Sequence, residues 1–187
     1  DTKDEEYYFI VSRIVGAKGL DFAVEAALKS GFKLKIAGSS AGYSFEQEKL
    51  IKKVQGRVFK HGDGGQVEFL GQVTDEELVK FYKGAKGFLA LAKDEDFGIT
   101  PVEAMSLGTP VVAFNGGGYK ETVIDGKTGV LFDEYSTEGL ISAIKKFESI
   151  KINSQDCVKQ AEKFSKERFK KEIKNFINSK FPSSQKL

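Results

Sequence analysis

The sequence predicts an α/β fold, a doubly wound parallel sheet of six strands with helices on both faces. Short apolar runs alternate with amphipathic stretches along the chain, and only a few residues connect them. This alternation indicates right-handed crossovers between parallel strands. The predicted strands are continuously apolar instead of alternating with polar residues, which is typical of a sheet covered on both faces.

The six strands are predicted from runs that are rich in β-branched, aromatic and other apolar residues. The first of them, Tyr7-Tyr8-Phe9-Ile10-Val11, is the most aromatic. In chain order the runs cover residues 7–11, 34–38, 67–70, 87–91, 111–114 and 129–132. Ligands of such folds bind beyond the carboxyl ends of the strands, so the loops that follow the strands are where function is expected.

The helices are predicted from apolar spacing and from capping residues. The first has apolar residues three and four positions apart between Leu20 and Leu28. Capping boxes open the second at Ser44, which we expect to run to about Phe59, and the third at Thr74. The remaining helices are predicted over residues 101–107, 119–124, 137–149 and 154–177.

Composition excludes several classes of protein. The chain has 187 residues, enough for one domain. Its net charge is only +2, which is far below the positive charge typical of nucleic-acid-binding proteins. The single cysteine, Cys157, excludes a disulfide scaffold, and the single histidine, His61, leaves little for a Cys/His metal site. We expect Cys157 to pack in a helix face and His61 to lie at the surface. The apolar runs are too short to span a bilayer, and with one cysteine this favours the cytoplasm.

The two ends of the chain carry further signals. The chain begins at Asp1 and its one methionine is Met105, so we interpret it as a domain of a longer protein. Residues 151–187 contain ten Lys or Arg and four Asp or Glu, a net charge of +6, on an amphipathic helix. We expect this basic helix to pack on its own or a neighbouring domain, and contact with an anionic membrane is the alternative.

The loop after the first strand carries two cations, Arg13 and Lys18, just before a helix begins. A guanidinium and an ammonium both suit phosphate oxygens, and a helix start adds free N–H groups. The alternative is that both are ordinary surface cations in a turn.

The loop after the fourth strand is acidic, with Asp94, Glu95 and Asp96 in succession. Glu95 has no helix to cap, and a carboxylate in such a loop can accept hydrogen bonds from two sugar hydroxyls. Asp94 and Asp96 also form a D-x-D pattern, which binds a divalent metal in one class of glycosyltransferases. A solvated charged loop is the plainer alternative.

A helix start follows directly. Gly98 allows close backbone approach, Thr100 is predicted to be the N-cap and Pro101 the first helical residue. The amides of Ile99 and Thr100 could then take a phosphate. Glu103 stands where a capping box places a glutamate, so capping is one interpretation of it.

Three glycines, 116–118, follow the fifth strand. They could form a backbone nest for an anion, pack closely against a ligand, or be a mobile turn.

These motifs together resemble the C-terminal domain of a family 4 glycosyltransferase, which has the two-domain GT-B fold. The hallmark E-x7-E reads Glu95 to Glu103, with Phe97-Gly98 inside it, and is followed by residues 104–112. Residues 12–19, 69–73 and 117–129 also match, so the resemblance spans roughly residues 7–150. The sequence around Glu95 is similar to that of bacterial and archaeal mannosyltransferases of polysaccharide biosynthesis.

The resemblance implies roles for individual residues. Arg13 and Lys18 would hold the donor diphosphate and offset its charge as it departs, and Glu95 would bind the donor sugar. Glu103 would bind the ribose, and the main chain at Val73 the base. The segment Phe97-Gly98-Ile99-Thr100 would line the same site, with the amides of the last two on the phosphates.

The resemblance also implies the whole reaction. Residues 1–150 would bind a nucleotide sugar, and 151–187 would be the closing helix and tail. The enzyme would transfer a hexose such as mannose to a glycan or lipid-linked acceptor, with retention and with no metal or other cofactor. A further, N-terminal domain would bind the acceptor. Two alternatives remain: a metal-dependent transferase that uses Asp94 and Asp96, and a non-catalytic docking module with the tail helix on a partner or a membrane.

Overall fold

A computed structural model describes residues 6–39, 48, 58–60 and 66–181 of the chain. All its strands run parallel in one sheet, in the order β3-β4-β2-β1-β5-β6-β7. The strands are β1 (Tyr7–Val11), β2 (Lys33–Ala37), β3 (Val58–Lys60), β4 (Val67–Gly71), β5 (Gly87–Ala90), β6 (Val111–Phe114) and β7 (Gly129–Phe132). The predicted fold class is confirmed: the six predicted strands all form, and β3 adds a seventh at one edge.

The helices connect the strands and then close the chain. They are α1 (Leu20–Ser30), α2 (Asp75–Gly84), α3 (Ile99–Ser106), α4 (Tyr119–Thr122), α5 (Thr137–Ser149), α6 (Ser154–Glu162) and α7 (Lys166–Lys180). The predicted capping box of α2 is present, since the Thr74 side chain accepts from the Glu77 amide and the Glu77 carboxylate accepts from the Thr74 amide. The capping box at Ser44 and the surface position of His61 lie outside the described residues.

The two faces of the sheet bury two separate apolar clusters. In β1, Tyr8 and Ile10 pack with residues of α1 and α5. Tyr7 and Phe9 point the other way and pack with residues of α2, α3 and α6. Because successive side chains of a strand point to opposite faces, a continuous apolar run is required wherever both faces are covered.

The order in which strands are added to the sheet reverses at β1, in the middle of the sheet. The chain moves from β1 to β2 on one side, and after α2 it returns to place β5 on the other side of β1. Phe9 of β1 therefore pairs with Lys35 of β2 and with Phe88 of β5. Loops that follow β1 and β5 diverge from neighbouring strand ends, which leaves a crevice between them.

Three predicted helix boundaries are wrong. Val58–Lys60 form an edge strand beside β4 and are not the end of a helix. The final predicted helix is two helices: α6 ends at Glu162, and the Ser165 hydroxyl accepts from the Arg168 amide to cap α7. The third error concerns the start of α3. Its N-cap is Gly98 in a left-handed conformation, with φ 79°, and Thr100 already lies inside the helix.

Helix α7 leaves its apolar face uncovered. None of its residues is buried, and its large apolar side chains are all exposed: Phe169, Ile173, Phe176 and Ile177. Within the described part of the chain, α7 therefore does not pack on its own domain. None of the helices in this part of the chain is both long and apolar enough to cross a membrane.

Helix α6, in contrast, packs against the domain. Cys157 is fully buried there, as predicted, and its thiol donates to the carbonyl oxygen of Thr128 at 3.6 Å. Burial raises the pKa of the Cys157 thiol to about 11. The thiol is therefore protonated at neutral pH and acts as a packing group.

Candidate functional site

A cleft of about 210 Å³ opens at the carboxyl ends of β1 and β5. From the loop after β1 it is lined by Ser12, Arg13 and Lys18. From the segment after β5 it is lined by Glu95 and by the start of α3. Two loops that are far apart in sequence therefore meet at the point where the strand order reverses, as the fold rule predicts.

The cations of the β1 loop differ in their surroundings. The Lys18 ammonium lies 2.8 Å from a carboxylate oxygen of Glu95, and about a quarter of each side chain is exposed. The side chain of Arg13 is exposed at the rim and has no hydrogen-bond or ion-pair partner among the described residues. The cleft thus presents the free guanidinium of Arg13 beside the ion pair of Lys18 and Glu95. Because a lysine has three N–H donors, Lys18 can bind Glu95 and a second anion at the same time.

The start of α3 contributes backbone donors to the same cleft. Gly98, Ile99 and Thr100 all line it. No side chain in the described part of the chain caps this helix, and its first turn carries no acidic residue. The first amides of a helix lack intrahelical acceptors and lie at the positive end of its dipole, so this end of the cleft suits an anion.

The glycines of residues 116–118 hold the acidic loop in place. The amide of Gly118 donates to the carbonyl oxygen of Glu95 at 2.8 Å. A Cβ on Gly117 would stand 2.1 Å from that same oxygen, and one on Gly118 would stand 2.5 Å from the Cα of Phe97. The predicted alternatives were an anion nest, close packing against a ligand or a mobile turn, whereas the structure shows close packing against the chain's own backbone.

One wall of the cleft was not predicted from the sequence. Tyr119 is 4% exposed and lines the cleft, and its ring lies where a Cβ on Gly98 would stand, 2.5 Å away. Burial, and then the charge of Glu95, raise the pKa of Tyr119, so its phenol stays protonated. The signal for Tyr119 in the sequence was the run of glycines 116–118 directly before it, because residues without side chains leave room for an aromatic ring beside a loop.

Three predicted site residues do not line the cleft. Phe97 is 39% exposed and packs edge-on against Phe164, with ring centroids 5.5 Å apart. Val73 is half-buried and directly precedes Thr74, the N-cap of α2. Glu103 is half-buried in the second turn of α3, where its carboxylate accepts from the Tyr82 hydroxyl at 3.1 Å. The interpretation of Glu103 as a capping residue is therefore wrong.

The acidic residues on either side of Glu95 face solvent. Asp94 and Asp96 are both exposed. In the described part of the chain, no three His, Cys, Asp or Glu side chains come close enough together to hold a metal ion.

A second, larger cavity lies at the opposite, amino edge of the sheet. It measures about 420 Å³, and Lys83, Lys86 and Lys151 are among the residues that line it. Lys86 is paired with Glu6 and Glu148. None of the predicted site residues lies there.

Comparison with known proteins places the chain in a family. The family model for glycosyl transferases group 1 matches residues 1–164. An uncharacterised glycosyltransferase of Methanocaldococcus jannaschii is 29% identical over 168 residues, which are 90% of this chain and 44% of that protein.

Solved structures share the architecture. Sucrose-phosphate synthase from Thermosynechococcus elongatus superposes with a TM-score of 0.82 at 25% identity, over 98% of this chain and 47% of that one. The Anabaena protein HepE in complex with UDP-glucose gives a TM-score of 0.73 at 21% identity, over 94% of this chain and 49% of that one, and at this identity the likeness is one of fold. The chain thus spans about half the length of the proteins it matches. Because the family model covers most of the sequence, the chain belongs to the group 1 glycosyl transferases, as its motifs predicted.

Proposed function

We propose that this chain binds the donor of a retaining hexosyltransferase, a nucleoside diphosphate sugar. One observation carries the proposal: Arg13, Lys18, Glu95 and the start of α3 face a single cleft. Cations and free amides suit a diphosphate, whereas a carboxylate suits sugar hydroxyls. Membership of the glycosyl transferases group 1 and the fold shared with a UDP-glucose complex of HepE support the same choice of ligand.

The proposed roles follow from position in the cleft. Arg13 and Lys18 bind the diphosphate from one side, and the amides of Ile99 and Thr100 bind it from the other. When the bond between the anomeric carbon and the diphosphate breaks, negative charge grows on the departing oxygen. Fixed cations and a helix start stabilise that charge without having to rearrange, and no metal is needed for it. We therefore propose Arg13, Lys18 and Glu95 as the catalytic residues.

Of the other predicted contacts, Val73 lies just before α2, Phe97 and Gly98 lie just before α3, and Glu103 lies within α3. We propose that Glu103 binds the ribose and that the main chain at Val73 meets the base, with Phe97 and Gly98 shaping the loop between them. The donor sugar is proposed to be a hexose such as mannose, and the acceptor a glycan or a lipid-linked sugar.

The length of the relatives bears on the rest of the protein. Because the chain spans about half of them, we propose that a further domain binds the acceptor. The uncovered apolar face of α7 and its lysines are proposed to contact that domain, or else an anionic membrane surface in the cytoplasm.

Calorimetric titration of the chain with ADP, GDP and UDP tests the proposal. We expect weak, saturable binding of at least one of them, and the same affinity after addition of EDTA. If none of the three gives binding heat, and circular dichroism shows that the protein is folded, the proposal is contradicted. Binding that disappears with the chelator would instead favour the metal-dependent alternative at Asp94 and Asp96.

A further inference from the structure

A buried tyrosine holds the carboxylate of Glu103. Tyr82, near the end of α2, is 1% exposed, and its hydroxyl donates to Oε2 of Glu103 at 3.1 Å. This contact joins α2 to α3 through a side-chain hydrogen bond. The hydroxyl is the only polar group on the Tyr82 side chain, and buried polar groups of this kind are normally paired.

The ring of Tyr82 has little freedom to move. It packs between Phe9 and Phe88, with ring centroids 5.4 Å away in each case. Its own carbonyl oxygen accepts from the Thr109 hydroxyl at 2.6 Å, so the backbone at this position is tied as well. The phenol is therefore a fixed donor. Burial, and then the charge of Glu103, raise the pKa of Tyr82 far above its ordinary value, which keeps the proton on the oxygen.

Glu103 stands one turn behind the cleft. It follows Ile99 by four residues and Thr100 by three, so all three share one face of α3. Side chains on a helix lean towards its N-terminal end, which here is the end that opens into the cleft. Tyr82 occupies one carboxylate oxygen, and the other, Oε1, has no hydrogen-bond partner among the described residues. A carboxylate held by one oxygen presents the other as an acceptor in a defined place.

We propose that Tyr82 is a positioning residue of the donor site: its hydroxyl orients Glu103 so that the free oxygen accepts a ribose hydroxyl of the nucleotide. The inference rests on the proposed function, because it assigns Tyr82 to the nucleotide half of that same site. Tyr82 does not touch the ligand itself. Its effect is confined to the part of the ligand that Glu103 contacts.

Two probes separate this role from a structural one. The first is the nucleoside diphosphate that binds the wild-type chain best, and the second is its 2′,3′-dideoxy counterpart, which lacks both ribose hydroxyls. For Tyr82→Phe we expect a loss of about fivefold to tenfold in affinity for the first probe and no change for the second. Glu103→Ala should show the same selectivity, and adding Tyr82→Phe to it should cost no further affinity, because the phenol acts through the carboxylate.

Tyr7→Phe is the matched control. Tyr7 belongs to the same apolar cluster, and its hydroxyl donates to the carbonyl oxygen of Phe81 at 2.9 Å. Both variants remove one buried tyrosine hydroxyl, so both are expected to lower the melting temperature by a similar amount, whereas nucleotide affinity should fall only in Tyr82→Phe.

The outcomes that contradict the inference are distinct. If the wild-type chain binds the nucleotide and Tyr82→Phe binds it equally well, the role of Tyr82 is overturned while the proposed function stands. The same holds if Tyr82→Phe loses equal affinity for the two probes. If the wild-type chain binds neither probe nor any other nucleoside diphosphate, the proposed function fails and the role of Tyr82 fails with it.

Discussion

Replacing Arg13 and Lys18 together with alanine is expected to abolish measurable binding of the nucleoside diphosphate. Both side chains line the cleft, and in the described part of the chain the guanidinium of Arg13 is free to meet a ligand. A hydrogen bond to a charged group contributes about 1.5–3 kcal/mol. Losing two such contacts weakens binding by roughly 10²- to 10⁴-fold, at tenfold for each 1.4 kcal/mol. Titration calorimetry measures this directly.

The control for this variant removes the same charge at the other edge of the sheet. Lys83 and Lys151 are exposed and line the amino-edge cavity. Their double replacement by alanine changes the net charge equally, so a general electrostatic attraction would weaken equally in both variants. Retained binding in the Arg13/Lys18 variant, or an equal loss in the Lys83/Lys151 variant, would contradict the assignment of the diphosphate site.

The second large effect is expected from Gly117→Ala. Gly117 has φ +50°, and a Cβ on it would stand 2.1 Å from the carbonyl oxygen of Glu95, so the acidic loop must move. We expect a loss of stability of about 1–3 kcal/mol from overpacking, in addition to the strain of a side chain in the left-handed region, about 1–2 kcal/mol. Because movement of the loop would remove the contact of Glu95 with the ligand, and a hydrogen bond to a charged group contributes about 1.5–3 kcal/mol, we expect affinity for the nucleotide sugar to fall about tenfold or more. Thermal melting and calorimetry measure the two effects.

Gly126→Ala separates the clash from the backbone strain. Gly126 also has a left-handed conformation, with φ +73°, but a Cβ there meets nothing within 4 Å. Its replacement is expected to cost only the conformational strain, about 1–2 kcal/mol, and to leave donor affinity unchanged. Similar donor affinity in the two variants would show that the contact between Gly117 and Glu95 does not shape the cleft.

The fold and the place of the cleft could be predicted because both depend on local patterns. Continuous apolar runs identify buried parallel strands, and the rule for strand ends then brings Arg13 and Glu95 together although 82 positions separate them. Edge strand β3 was not predicted, since three residues are too few to show an apolar pattern and they form a strand by pairing with β4.

The details of α3 depended on contacts that the sequence does not display. Thr100 and Pro101 have the chemistry of a helix start, yet the helix begins earlier because Gly98 takes a left-handed conformation against the ring of Tyr119. The bond between Tyr82 and Glu103 joins two helices, and only the tertiary packing of α2 beside α3 reveals it. Capping is a local rule, and here a non-local contact outweighed it.

A crystal structure of the chain with the nucleotide sugar that it binds would show whether the cleft between β1 and β5 is the donor site. We expect the diphosphate between the side chains of Arg13 and Lys18 and the amides of Ile99 and Thr100, with hydroxyls of the sugar on Glu95. A nucleotide found instead in the amino-edge cavity beside Lys83 and Lys151, with the cleft between β1 and β5 unoccupied, would contradict it.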